Sequence, residues 1–235
     1  MFCLVLGVLF SWMSWFYDMG EPSPAPAPPA GFQTVLEAPS QTPLAKPSFL
    51  QRIGNANIVA LSRYEIAARI LTRRTYEGDE FMPPWRDLPG VSPLALYLGW
   101  GPLSDTAIID SFNYVTLLRD TKPQDRWGRF DDRHRQFGIQ TNIIPHSPAI
   151  KAELDDLRVN QNVRLEGFLV KMEAEGLKYG PLVMRSAVKD EERYRKMMYK
   201  KNILYVTAVE VLPWYGDIDL DLAAPDDALI LAASE

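Results

Sequence analysis

A chain of 235 residues, 47% of them hydrophobic, is long enough for one domain or two small ones around a buried core. Six of the 30 acidic residues follow Pro213 with no Lys or Arg among them, so the net charge of −5 becomes +1 for the rest of the chain. That balance lacks the basic footprint of a nucleic-acid binder, and a single cysteine, Cys3, excludes an internal disulfide and a thiolate metal centre.

Phe2 to Tyr17 is an uncharged apolar run, about 24 Å long as a helix. A transmembrane anchor, a cleaved signal peptide and a core helix compete for it. Trp12, Trp15 and Tyr17 sit where an interfacial aromatic belt belongs. A charged n-region is missing, and Ala25-Pro26-Ala27 is a poor cleavage site. Residues 1–18 therefore read as an anchor first and a signal segment second, with residues 2–17 in the membrane. Eight of the 19 prolines fall between Pro22 and Pro47. Residues 19–50 read as a Pro/Ala-rich tether, extended and semi-rigid.

Residues 51–213 hold the expected single domain. Tyr64, Ile66, Ala68 and Ile70 alternate with Glu65, Ala67, Arg69 and Leu71, a strand pattern with a helix as runner-up. Glu77 to Pro93 reads as a loop. Ser104 or Asp105 can cap a short helix over Thr106 to Phe112. Strands follow at Tyr114–Arg119 and Phe137–Ile144. Ser147-Pro148 opens a second helix, with Ile150, Leu154 and Leu157 on one face, that ends at Asn160-Gln161-Asn162. Val163–Met172, Leu182–Val188 and Ile203–Leu212 read as the remaining strands, with Val163–Met172 at the centre. The expected fold is α+β: a small curled, mainly antiparallel sheet or partial OB-like barrel with two short helices, preceded by a membrane-anchoring helix. Residues 214–235 form an acidic tail.

Gly99-Trp100-Gly101-Pro102 before a capped helix invites a phosphate site. Ser104 stands where G-x-G-x-x-G needs glycine, and Pro102 lacks an amide, so a structural turn around a buried Trp100 is the better reading. The only histidines, His134 and His146, have no ligand spacing around them, and no metal or cofactor is expected. G-x-S-x-G is absent. Asp217-x-Asp219-x-Asp221 has Leu222 and Ala228 where a calcium loop needs glycine and glutamate. The basic loop Arg193–Lys201 interleaves Tyr194 and Tyr199, after three acidic residues that dilute its field.

Leu98-Gly-Trp-Gly-Pro-Leu-Ser-Asp105, Ile143-Ile-Pro145 and Val163-Arg-Leu-Glu-Gly-Phe-Leu-Val170 resemble a family of short, N-terminally membrane-anchored bacterial proteins to which no activity is attached. The resemblance spans roughly residues 58–212. The minimal segment before the apolar run places the amine in the cytoplasm, so the expectation is a single-pass protein of the bacterial inner membrane with its domain exported to the periplasm or outer face. Where that family offers an asparagine and a histidine, this chain has Gln140 and Asn142. Gln161-Asn162 replaces a Gly-Asp turn, the family's serine-rich strand end reads Arg185-Ser186-Ala187-Val188-Lys189, and its cysteine falls near Lys201.

The expectation that follows is a non-enzymatic, membrane-anchored envelope domain that binds a protein or an envelope component. Trp100, Ser104, Asp105, Asn142, Arg185 and Ser186 are the candidate contact residues, and no catalytic residue is assigned. A hydrolase using Ser104 or Ser186 with Asp105 or His146 is the alternative. Oligonucleotide binding by an OB-like barrel is the third reading.

Overall fold

The computed structural model describes residues 22–76, 90–117, 120–125, 134–174, 182–185 and 201–213. The apolar run Phe2–Tyr17, residues 77–89 of the expected Glu77–Pro93 loop, all of the basic loop Arg193–Lys201 but its last residue, Ser186 and the acidic tail lie outside them. No helix among the described residues is long and apolar enough to cross a membrane.

Strand β1 (Ser40–Ile53) turns at Gly54, whose φ of +56° suits glycine, into β2 (Ala56–Thr75). The run with a helical runner-up is thus the middle of a 20-residue strand. Its alternation decides this: Tyr64, Ile66, Ala68 and Ile70 all point into one apolar cluster. β3 (Leu94–Gly99), a 3-10 turn over Gly101–Ser104 and the short helix α1 (Thr106–Ile109) come next. β4 (Phe112–Leu117) and β5 (Asp120–Asp125) pair as a separate two-stranded sheet. β6 (Gly138–Pro145), α2 (Pro148–Asp155), β7 (Asn162–Ala174), β8 (Leu182–Arg185) and β9 (Lys201–Leu212) complete the fold.

Among the described residues the main sheet has seven strands in the order β1-β2-β3-β6-β9-β7-β8, and β2 also pairs with β7. This extra pairing bends the sheet into a ring, β2-β3-β6-β9-β7 and back to β2. Length makes that possible: the first half of β2 lies between β1 and β7, while its second half, from Arg69 on, pairs with β3. Every pairing is antiparallel except β6 with β9. The result is a curled mixed sheet with two short helices, an α+β fold. Leu96, Leu98, Ile143, Leu165, Leu169, Leu204 and Val206 fill the ring. α2 packs against it through Ile150 and Leu154, with Leu157 just beyond its end. Ser147 caps that helix, accepting from the Ile150 amide at 3.3 Å, and Pro148 sits where its missing N–H costs nothing.

Val163–Met172 holds the predicted centre: β7 touches β2, β9 and β8. A bulge at Glu166/Gly167 lets it bend, and a Cβ on Gly167 would lie 1.9 Å from the Tyr205 carbonyl oxygen.

Three departures from the sequence reading concern the N-terminal half. Leu94–Gly99 is a strand with all six residues buried, and a fully buried strand lacks the alternation that would reveal it. The stretch read as a tether to residue 50 is a strand from Ser40 on. Its prolines, Pro43 and Pro47, are tolerated because β1 ends the sheet, and the register shifts between Pro43 and Ser48. Ala25 to Val35 is docked on the curled sheet, bonded at both ends to its backbone and side chains.

Candidate functional site

The run Gly99–Asp105 builds one corner of the curled sheet. A Cβ on Gly99 would meet the Leu103 carbonyl oxygen at 2.6 Å, so the 3-10 turn lies against the end of β3 only because that position is glycine. Gly101 has φ +52°, and its amide bonds the Val35 carbonyl at 2.7 Å. Trp100 is buried at 8% exposure and bonds Phe137 through its backbone. The structural-turn reading of this motif accounts for each glycine.

Arg69 is the centre of the corner. It points outward from β2 between the inward Ala68 and Ile70, yet it is 1% exposed. Nη1 donates to the Ser104 carbonyl at 3.1 Å and to Thr106 Oγ1 at 2.8 Å, and Nη2 donates to Asn160 Oδ1 at 2.9 Å. Burial lowers its pKa from the ordinary value, while Asp110, Tyr114 and Asp105 act the other way.

These acceptors are not passive. Thr106 Oγ1, with its lone pair held by Arg69, donates to the Pro28 carbonyl at 2.6 Å. Asn160 donates through Nδ2 to the Ala25 carbonyl at 3.0 Å, and its positive φ of 76° holds it at the turn before β7. The Ala25 amide bonds the Val159 carbonyl at 2.9 Å. Further along, Asp105 Oδ1 accepts from the Gly31 amide at 2.9 Å and Thr34 Oγ1 donates to Asn162 Oδ1 at 2.9 Å. Val35 enters the main apolar cluster.

The predicted residues divide. Trp100, Ser104 and Asp105 share this corner, but as framework. Ser104 is fully buried; its hydroxyl lies 2.7 Å from the Gly101 carbonyl and 3.2 Å from that of Val35, and accepts from the Val35 amide at 3.1 Å. Asp105 caps α1, accepting from the Ala107 amide at 2.8 Å as well as from Gly31. Asn142 lies elsewhere, at 4% exposure on β6 between Ala95 of β3 and Ile203 of β9, and its Oδ1 has no partner. Arg185 pairs through its backbone with Lys171 at the far end of the sheet. His146 is exposed, its Nδ1 2.8 Å from the Tyr205 hydroxyl. Among the described residues, no three His, Cys, Asp or Glu side chains gather to hold a metal.

The sequence reading missed Arg69, Thr106 and Asn160. The available signal was a lone arginine inside the apolar run Ile66–Leu71, which alternation alone assigns to a solvent-facing side.

Comparison of the chain with family models, curated proteins and solved structures finds no match. The resemblance carried by Leu98–Asp105, Ile143–Pro145 and Val163–Val170 therefore remains one of short motifs.

Proposed function

We propose that the chain is a non-enzymatic binding module on an OB-like barrel, held at a membrane by Phe2–Tyr17 and facing a protein partner in the bacterial cell envelope. The strand ring β2-β3-β6-β9-β7, the parallel pairing of β6 with β9 and the helix between β6 and β7 support the OB-like reading. The observation that carries the non-enzymatic part is the commitment of Ser104 and Asp105 to backbone bonds. A nucleophile needs a hydroxyl free to meet both a base and a substrate, whereas that of Ser104 is sealed among Gly101 and Val35.

The outward row of β3 and β6, where OB barrels stack bases, is covered here: Ala95, Tyr97, Gln140 and Asn142 are all buried. That favours a protein over an oligonucleotide. β1, by contrast, ends the sheet, and Phe49 on it is 61% exposed. An extended segment of a partner can add to such an edge through main-chain bonds.

The test is a photo-crosslinking side chain at Ser48 in the full chain, in membranes, with and without Phe49→Glu, beside a titration with single-stranded DNA at two salt concentrations. One discrete protein adduct, lost with Phe49→Glu, is the expected result. A salt-dependent DNA isotherm without that adduct would replace this reading with oligonucleotide binding.

A further inference from the structure

The segment docked at the Arg69 corner has the chemistry of a ligand. Ala25, Ala27 and Pro28 each precede a proline, which pushes them out of the helical region, and Pro26, Pro28 and Pro29 have their own φ locked near −65°. Such a run is preset as polyproline II, with three residues per turn and no internal hydrogen bonds, so its carbonyls need outside donors. The carbonyls of residues 25 and 28 are one turn apart, about 9 Å along the axis, and face the same side. Those two carbonyls receive bonds from Asn160 and Thr106.

One guanidinium sets both donors. Asn160 can offer Nδ2 to residue 25 because Arg69 occupies its Oδ1, and Arg69, a donor only, takes one lone pair of Thr106 Oγ1, so the hydroxyl proton turns away from it and is given to residue 28. Pro28 is buried against this corner while Pro26 and Pro29 are exposed, as a threefold helix with one face down requires. Asp105 then fixes the Gly31 amide, and Val35 ends the segment in the core.

We infer that the corner formed by Arg69, Asp105, Thr106 and Asn160 is a recognition site for a polyproline II segment, and that its ligand is the chain's own Ala25–Pro29, closed by the turn at Ala30-Gly31 whose amide Asp105 holds. Arg69 is the positioning residue and Thr106 and Asn160 are the contacts. The site reads backbone carbonyls at one-turn spacing, so it selects a conformation rather than a side chain. Joined to the barrel by few residues, the segment has a high effective concentration there, of millimolar order for short linkers. The site stands independently of the β1 edge and of any partner bound to it.

Amide hydrogen exchange by NMR on the full chain tests this. The Ala25 and Gly31 amides should exchange at least tenfold more slowly than an unstructured chain. Thr106→Val with Asn160→Ala should release both by tenfold or more and leave the Leu165 and Leu169 amides of β7 unchanged, whereas Thr106→Ser should keep the protection. Pro26→Gly with Pro29→Gly retains every carbonyl but not the preset helix, and should lower protection severalfold without touching the barrel. Unprotected Ala25 and Gly31 in the unaltered chain would overturn the site. Full protection in the glycine variant would overturn conformational recognition. Protection that grows with protein concentration would make the ligand a second copy's segment and overturn the assignment in cis.

Discussion

Arg69 and Thr141 are buried polar residues in the same curled sheet, 1% and 0% exposed, but their surroundings treat them in opposite ways. Arg69 on β2 delivers three hydrogen bonds, and its acceptors pass two of them on to Ala25 and Pro28. Thr141 on β6 points inward between Ile139 and Ile143, its Oγ1 has no partner, and Oδ1 of Asn202, beside it in register on β9, has none either. Both terminal nitrogens of Arg69 are paired and only its Nε is left without a partner. A largely paired buried network specifies one arrangement, whereas an unpartnered buried group only loses its water. The polar residues of the first region thus hold the N-terminal segment in place, and those of the second are a cost carried by the apolar ring.

The largest expected effect comes from breaking the first region. Arg69→Met keeps most of the side-chain packing but strips three acceptors of a charged donor. At about 1.5 kcal/mol for each bond to a charged group, the loss should reach about 4.5 kcal/mol. Urea unfolding would show it as a lower midpoint with little change in slope. Ser104→Ala is the milder version: it leaves the buried Val35 amide unpaired and should cost about 2 kcal/mol. If both substitutions proved neutral, the network would be ornament and the contrast with β6 would collapse.

The second region should respond with the opposite sign. Thr141→Val replaces an unpartnered hydroxyl by a methyl of nearly the same shape in an apolar interior, so stability should rise by about 1 kcal/mol. Asn202→Leu is a neighbour in register, and the two gains will not add independently. A thermal unfolding scan of the single and double variants checks this. A loss on Thr141→Val would mean that its hydroxyl is satisfied in the native state.

The same contrast explains which parts of the chain could be read from sequence. β7, β9 and α2 were legible because apolar spacing and the Ser147-Pro148 cap act locally, within a few residues of the positions they decide. The turn at Gly99–Asp105 was legible in kind, since glycine and proline punctuate any fold. β3 was not, because burial on both faces erases alternation over Leu94–Leu98. β1 was hidden by Pro43 and Pro47, which an edge strand tolerates and a central one does not. Arg69, Thr106 and Asn160 come from three elements, with 37 positions between the first two and 91 between Arg69 and Asn160. Their meeting is a property of the ring closure. The same separation removed the predicted site: Trp100, Ser104 and Asp105 serve the corner, while Asn142 and the backbone of Arg185 lie on other strands.

Two tyrosines carry the comparison to its smallest scale. The Tyr114 hydroxyl is buried without a partner, and burial, with Tyr97 beside it, raises its pKa well above the ordinary phenol value. The Tyr205 hydroxyl is raised by burial too, but lies 2.8 Å from His146 Nδ1. In both cases the folded state holds the neutral phenol more firmly than the unfolded chain does. Their contribution is therefore fully present below the unfolded pKa of 10.0 and is lost as pH rises through the folded value. Stability of the unaltered chain should fall above about pH 10. Tyr114→Phe removes a group that gains nothing from its hydroxyl, so it should be neutral or slightly stabilising at pH 7 and should flatten the alkaline fall. Tyr205→Phe gives up one hydrogen bond to an exposed imidazole, so it should cost about 0.5 kcal/mol at pH 7, a deficit that narrows toward pH 11 as the native phenol's own advantage drains away. Urea midpoints of the three proteins at pH 7, 9 and 10.5 would separate the cases. Equal deficits for both phenylalanine variants at neutral pH would mean that the partner of a buried hydroxyl makes no difference in this fold.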